Sequence, residues 1–199
     1  MPRRHISLSN LVTCLGLGII AIASARDESP ALRWGCLVPS NEDVHVEWHD
    51  TGAAFRDGTL WISKESLKQI YFSPNHLARV VIPGKGWYYV KRDGKSLSVL
   101  TLDNGADFFA DGLVRSRING KIAYFDRNFH QIIPPRYDWG WPFKNGKAVV
   151  CNGCRETPRD SDGYSQLAGG QWGFIDRQGK EIVPLTLSRD EAWSRRETK

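Results

Sequence analysis

Cys151-Asn152-Gly153-Cys154 sets two thiols three positions apart around a flexible Asn-Gly centre. That spacing suits a local disulfide, a thiolate metal site or a redox-active dithiol, and the flanking residues separate the three. A haem attachment needs histidine directly after the second cysteine, where Arg155 stands. A redox pair belongs at a helix start within an α/β pattern, and the surrounding residues alternate as strands instead. The disulfide reading therefore leads: it closes a loop too small to add much chain-entropy stabilisation, and it pins the base of the polar run Arg155 to Ala168. Cys36 is the odd thiol, either buried and free or bridged to the Cys151 region. Together Cys36, Cys151 and Cys154 offer three of the four ligands a structural zinc wants.

His45, Glu47 and His49 fall at i, i+2 and i+4 of an alternating stretch, hence on one face of a strand, where two histidines and a carboxylate can form a metal triad. The commoner arrangement is a solvated face opposite Val44, Val46 and Trp48, so these three are weak candidates. Tyr137-Asp138-Trp139-Gly140-Trp141-Pro142 packs three large aromatics into a loop, more than one turn readily buries. Tyr137, Trp139 and Trp141, with Arg155 from the polar run, are the ligand-binding candidates. There is no Gly-x-Ser-x-Gly elbow, phosphate loop or zinc-protease helix. A non-catalytic protein without a cofactor is the expectation.

The framework that must hold these residues is clearest at Gly169 to Pro184, GGQWGFIDRQGKEIVP. Trp172 and Phe174 alternate with Gly173 and Ile175 along a strand, Gly179 supplies the positive φ of a short bulged turn, and Lys180 to Val183 return. The same grammar recurs at Lys121 to Asp126, where Ile122 stands for Trp172, and in degenerate form at Gly86 to Lys95 around Trp87. Phe129 replaces the turn glycine of the middle copy, so Asn128 is expected to take the left-handed position. Phe109-Ala110-Asp111-Gly112-Leu113-Val114 likewise matches Phe143-Lys144-Asn145-Gly146-Lys147-Ala148. Fifty positions separate Ile122 from Trp172 against 35 from Trp87 to Ile122, which assigns a polar insertion at 151–169.

These residues resemble the WG repeat family, whose units run G-x-W-G-[FY]-I-D-x-x-G-K-x-[IV]-[IV]-P-P-x-[FY]-[DE]. Gly170 to Pro184 follows the first half closely, and Lys121 to Val149 follows nearly a whole unit with Ile122-Ala123 in place of Trp-Gly. The resemblance implies β-hairpin repeats with a binding or structural role, and no catalytic residues.

Around that framework, Arg3 and Arg4 precede an apolar run, Leu11 to Ala23, that closes on Ala23-Ser24-Ala25. This is the pattern of a signal peptide over residues 1–25, implying a periplasmic or secreted chain that does not span the membrane once processed. Without the leader, 25 basic side chains face 22 acidic ones. Such a balanced surface, in an exported chain with no basic cluster beyond Ser194-Arg195-Arg196, argues against nucleic acid. The expected architecture is mainly β: tandem WG-type hairpins forming a twisted β array over 83–187, a small α+β N-terminal cap over 26–82 and a polar C-terminal tail over 188–199. Ser63 is the expected cap of a short helix over Lys64 to Ile70. The partner expected for this monomer is an unidentified envelope protein or a glycan, met by surface loops. A toxin immunity or inhibitor protein is the alternative, ahead of a metal- or thiol-dependent enzyme.

Overall fold

The computed structural model describes residues 32–39, 44–162 and 165–197. The leader expected over 1–25, with Cys14, lies outside the described residues. The chain opens with a hairpin of β1 (Trp34–Pro39) and β2 (Val44–His49), then a two-stranded ribbon of β3 (Ala53–Arg56) and β4 (Thr59–Ile62), then helix α1 (Lys64–Gln69). Three meanders follow. The first is β5 (Leu77–Ile82), β6 (Gly86–Lys91) and β7 (Ser96–Val99), trailed by the small ribbon β8 (Thr101–Leu102) and β9 (Gly105–Ala106). The second is β10 (Val114–Ile118), β11 (Lys121–Phe125) and β12 (Gln131–Tyr137). After β13 (Trp139–Gly140) comes the third, β14 (Lys147–Glu156), β15 (Leu167–Asp176) and β16 (Glu181–Leu187), and helix α2 (Arg189–Glu197) ends the described chain.

Each recurring segment is the middle strand of its three-stranded antiparallel meander. In the second meander Ile122 opposes Tyr137, Tyr124 opposes Ile133 and Phe125 opposes Gln131. In the third, Trp172 opposes Leu187, Phe174 opposes Val183 and Ile175 opposes Glu181, with register shifts at the equivalent steps. Two extra residues on the outer strand, at Pro134-Pro135 and at Pro184-Leu185, make this bulge, which a proline tolerates because it needs no ladder donor. The bulge explains the glycine of the Trp-Gly pair. A Cβ on Gly173 would sit 2.5 Å from the Val183 carbonyl oxygen and 2.8 Å from that of Pro184. The middle copy has the small Ala123 there. In the first copy Tyr88 is accommodated because its ladder, Trp87 to Val99 through Val90 to Ser96, runs without a bulge.

The strand period of two converts these sheets into a stack. Trp87 and Tyr89 of the first sheet pack against Ala123 and Phe125 of the second. Ile122 and Tyr124 on the second sheet's other face pack against Val150 and Ile175 of the third. Two faces are left over, Tyr88 and Val90 at one end and Trp172 and Phe174 at the other. The ribbon β3-β4, α1 and Phe72 cover the first. This is the expected N-terminal cap, although β1 and β2 extend the first sheet at its edge rather than cover it. Ser63 caps α1 as expected, its hydroxyl accepting from the Ser66 amide at 3.1 Å.

The opposite face is covered by α2, where a polar tail was expected, through Ala192, fully buried among Trp172, Phe174 and Leu187. Ser188 and Glu191 start this helix reciprocally: the Ser188 amide donates to Glu191 Oε2 at 2.7 Å and the Glu191 amide donates to Ser188 Oγ at 3.3 Å. Both ends of the array are thus closed, as a repeat stack requires. Among the described residues no helix is long and apolar enough to cross a membrane.

The turns repeat as well. Asp111-Gly112 and Asn145-Gly146 all take positive φ, giving equivalent two-residue turns. They stack directly, the Gly146 amide donating to Asp111 Oδ2 at 2.7 Å. Asp126 and Asp176 each accept from the two amides two and four residues ahead. Asn128 does not carry the turn of the middle copy; Phe129 itself does, at φ 64°. Left-handed geometry costs a bulky residue about 1–2 kcal/mol. The ring recovers this by packing at the interface of the first two sheets, with the Lys91 ammonium 4.8 Å above it.

Candidate binding groove

The polar insertion expected as a loop is mostly a continuation of the third meander's hairpin. Beyond Cys151 and its partner Trp172, pairing goes on through Asn152 with Gln171 and Cys154 with Gly169 to Glu156 with Leu167. A flat ladder would place Cys151 and Cys154 on opposite faces. Gly153, at φ 76°, and Gly170 opposite it, at φ 72°, distort both strands so that the two sulfurs meet in a disulfide across Cα atoms 6.1 Å apart. Only glycine fits at 170, since a Cβ would lie 2.6 Å from the Asn152 carbonyl oxygen and closer still to the Cys154 amide. Cys36 is not joined to this pair; it is free and buried.

The projecting ribbon and the end of the second meander's bulged strand enclose a groove of about 360 Å³. Arg117, Asp138 and Trp139 line one side, Arg155, Glu156 and Leu167 the other. Asp138 ties the two sides together. Its carboxylate takes the Lys121 ammonium at 2.6 Å on one oxygen and the Gly153 amide at 2.7 Å on the other. The Lys121 hydrogen bond first, and the Gly153 amide second, hold this carboxyl below its usual range. The Arg117 guanidinium donates to the Gly120 carbonyl at 2.8 Å and lies 5.2 Å over the Trp139 ring. With Asp138 neutralised by Lys121, the groove presents two arginines and one glutamate around an indole.

The aromatic candidates divide. Tyr137 is buried at 1% exposure and belongs to the core between the second and third sheets. Trp139 and Trp141 are half-buried and meet edge to face at 5.5 Å. Trp141 extends the cluster to Trp172 at 6.1 Å and to Trp193 of α2 at 5.2 Å. Gly140 between them lets Tyr124 approach closely, because a Cβ would lie 3.2 Å from Tyr124 Cζ and nearer still to its hydroxyl. Only Trp139 of the three reaches the groove, alongside the exposed Arg155. Trp172 and Trp87 are core residues.

His45, Glu47 and His49 do not converge as a triad. The cluster that forms is Cys36, Glu47 and His49, with ligand atoms all within 4.8 Å of one another, and His45 is not part of it. Cys36 enters because it opposes Glu47 directly across the β1-β2 pair. Spacing within one strand could not show this, since the partner strand supplies the third donor. Arg117 and Lys121 were also missed in the sequence, although the Asn119-Gly120 turn between them fixes a tight hairpin register and was the available signal.

Stacked antiparallel meanders, two of them with an outer-strand bulge, closed by a cap at each end, define a tandem β-repeat protein. The WG containing repeat family matches residues 123–153 and 172–188, and the chain carries WG repeats there. No curated protein and no solved structure matches the chain.

Proposed function

We propose that the chain is an exported, non-catalytic binding module, and that the groove beside the Cys151–Cys154 disulfide holds its ligand, a glycan segment of the cell envelope. One observation carries this reading: the hairpin of the third meander projects beyond its repeat, and the projection meets the end of the preceding repeat at a groove lined by Arg117, Trp139, Arg155 and Glu156. An indole edge with guanidinium and carboxylate groups around it suits a polar ring compound with apolar faces and hydroxyls, and about 360 Å³ lies within the range of ligand sites. Rigid frameworks commonly display recognition on such decorations.

Replacing both Arg117 and Arg155 with alanine tests it. Both side chains are exposed, so the unfolding midpoint should not move. Binding on an array of envelope glycans should weaken by roughly tenfold or more, the loss of one or two charge-assisted hydrogen bonds. Unchanged glycan binding by the double variant contradicts the groove. Absence of glycan binding by the parent chain, with an envelope protein captured instead and released by the same substitutions, would keep the groove and replace the ligand.

A further inference from the structure

We propose that Cys36, Glu47 and His49 form a zinc site on the β1-β2 hairpin, remote from the groove and using a sulfur, an oxygen and a nitrogen donor. The donor atoms lie within 4.8 Å of one another, and Cys36 Sγ is 3.7 Å from His49 Nε2. A tetrahedral zinc with a Zn–S bond of about 2.3 Å and a Zn–N bond of about 2.0 Å separates those two atoms by roughly 3.5 Å. The pair is therefore already near ligand spacing, and a small rotation of the exposed Glu47 side chain closes the third arm.

The surroundings hold two of the donors in place. The His49 ring is stacked on the fully buried Trp34 at 4.2 Å with planes 17° apart, and the Trp34 indole is itself fixed by donating to the Thr51 carbonyl at 2.9 Å. Cys36 is fully buried in the core cluster that also holds Trp34, Val80 and Tyr88. Without metal, burial first and the nearby Glu47 carboxylate second push the Cys36 thiol up. Coordination forms one bond each to Sγ, Nε2 and a Glu47 oxygen and releases the thiol proton to water. Three protein ligands leave the fourth tetrahedral position open. Zinc is the ion assigned because this mixed donor set matches its borderline-soft character, whereas calcium and magnesium take oxygen.

The test is titration of the full chain with Co²⁺ as a spectroscopic stand-in for Zn²⁺, followed by displacement with Zn²⁺. One equivalent should bind with a thiolate-to-cobalt charge-transfer band that Zn²⁺ removes. Cys36→Ser should abolish the band, and His49→Ala and Glu47→Gln should each weaken binding by roughly tenfold or more. His45→Ala should change nothing. Glu47→Gln, at an exposed position, keeps the test independent of folding. A band that survives Cys36→Ser, equal loss with His45→Ala, or no band at all overturns the assignment. None of these outcomes bears on the groove.

Discussion

Asp107→Ala is expected to lower the unfolding free energy by about 3–5 kcal/mol, because it leaves a buried guanidinium without its counter-charge. Asp107 is fully buried and Arg115 nearly so. Arg115 donates from Nε to Asp107 Oδ2 at 2.9 Å, from Nη2 to Oδ1 at 2.8 Å, from its own amide to Oδ2 at 3.1 Å, and from Nη1 to the Gly140 carbonyl at 2.9 Å. Every bond of this two-pronged pair crosses between successive parts of the stack: the segment after the first sheet, the edge strand of the second and the short strand before the third. Urea unfolding followed by tryptophan fluorescence would measure the loss. Replacing both partners, Asp107→Leu with Arg115→Met, should restore most of it, since the cost lies in the orphaned charge rather than in the missing attraction. A loss below about 1 kcal/mol for Asp107→Ala would mean the pair is hydrated and the stack is looser than described.

Gly173→Val is expected to cost about 2–4 kcal/mol, the upper range of overpacking. The Cβ alone would meet the Val183 and Pro184 carbonyl oxygens, and the two methyls of valine add further bulk where these cannot withdraw without undoing the bulge. Gly173→Ala should cost less than valine but still destabilise, because its Cβ meets the same oxygens, while Ala123 in the second meander shows that the register can hold one methyl. Thermal unfolding of the two variants side by side decides it. Equal tolerance of alanine and valine would mean that the bulge carries no tight approach.

The stack's interior was legible because its signal is local. A Trp or Ile facing one way, a small residue facing the other, Asp-x-x-Gly at the turn and Pro after the return strand all act within one hairpin. What stayed hidden depends on partners distant in sequence. Asp107 and Arg115 look like ordinary surface charges until the stack buries them. Cys36 meets Glu47 only through cross-strand pairing, and Phe129 overrides its turn preference because two sheets offer its ring a site. The α2 helix was within reach, since Ser188-Arg189-Asp190-Glu191 is a capping box and Trp193 lies on the helix it opens. A mostly polar composition masked a helix that needs only Ala192 and Trp193 to dock. The groove was legible in half: Trp139 and Arg155 were singled out, but Arg117, Asp138 and Glu156 join them only when the insertion is paired as strand.

The two family-matched segments are one bulged unit copied fifty residues apart, and the bulge delivers Asp138 and Trp139 to the groove. Cross-strand nuclear Overhauser effects in the labelled protein test it most directly. Contacts of Ile122 with Tyr137 and of Trp172 with Leu187 are expected. Contacts of Ile122 with Pro135 and of Trp172 with Leu185, the pairs an unbulged ladder makes, would contradict it.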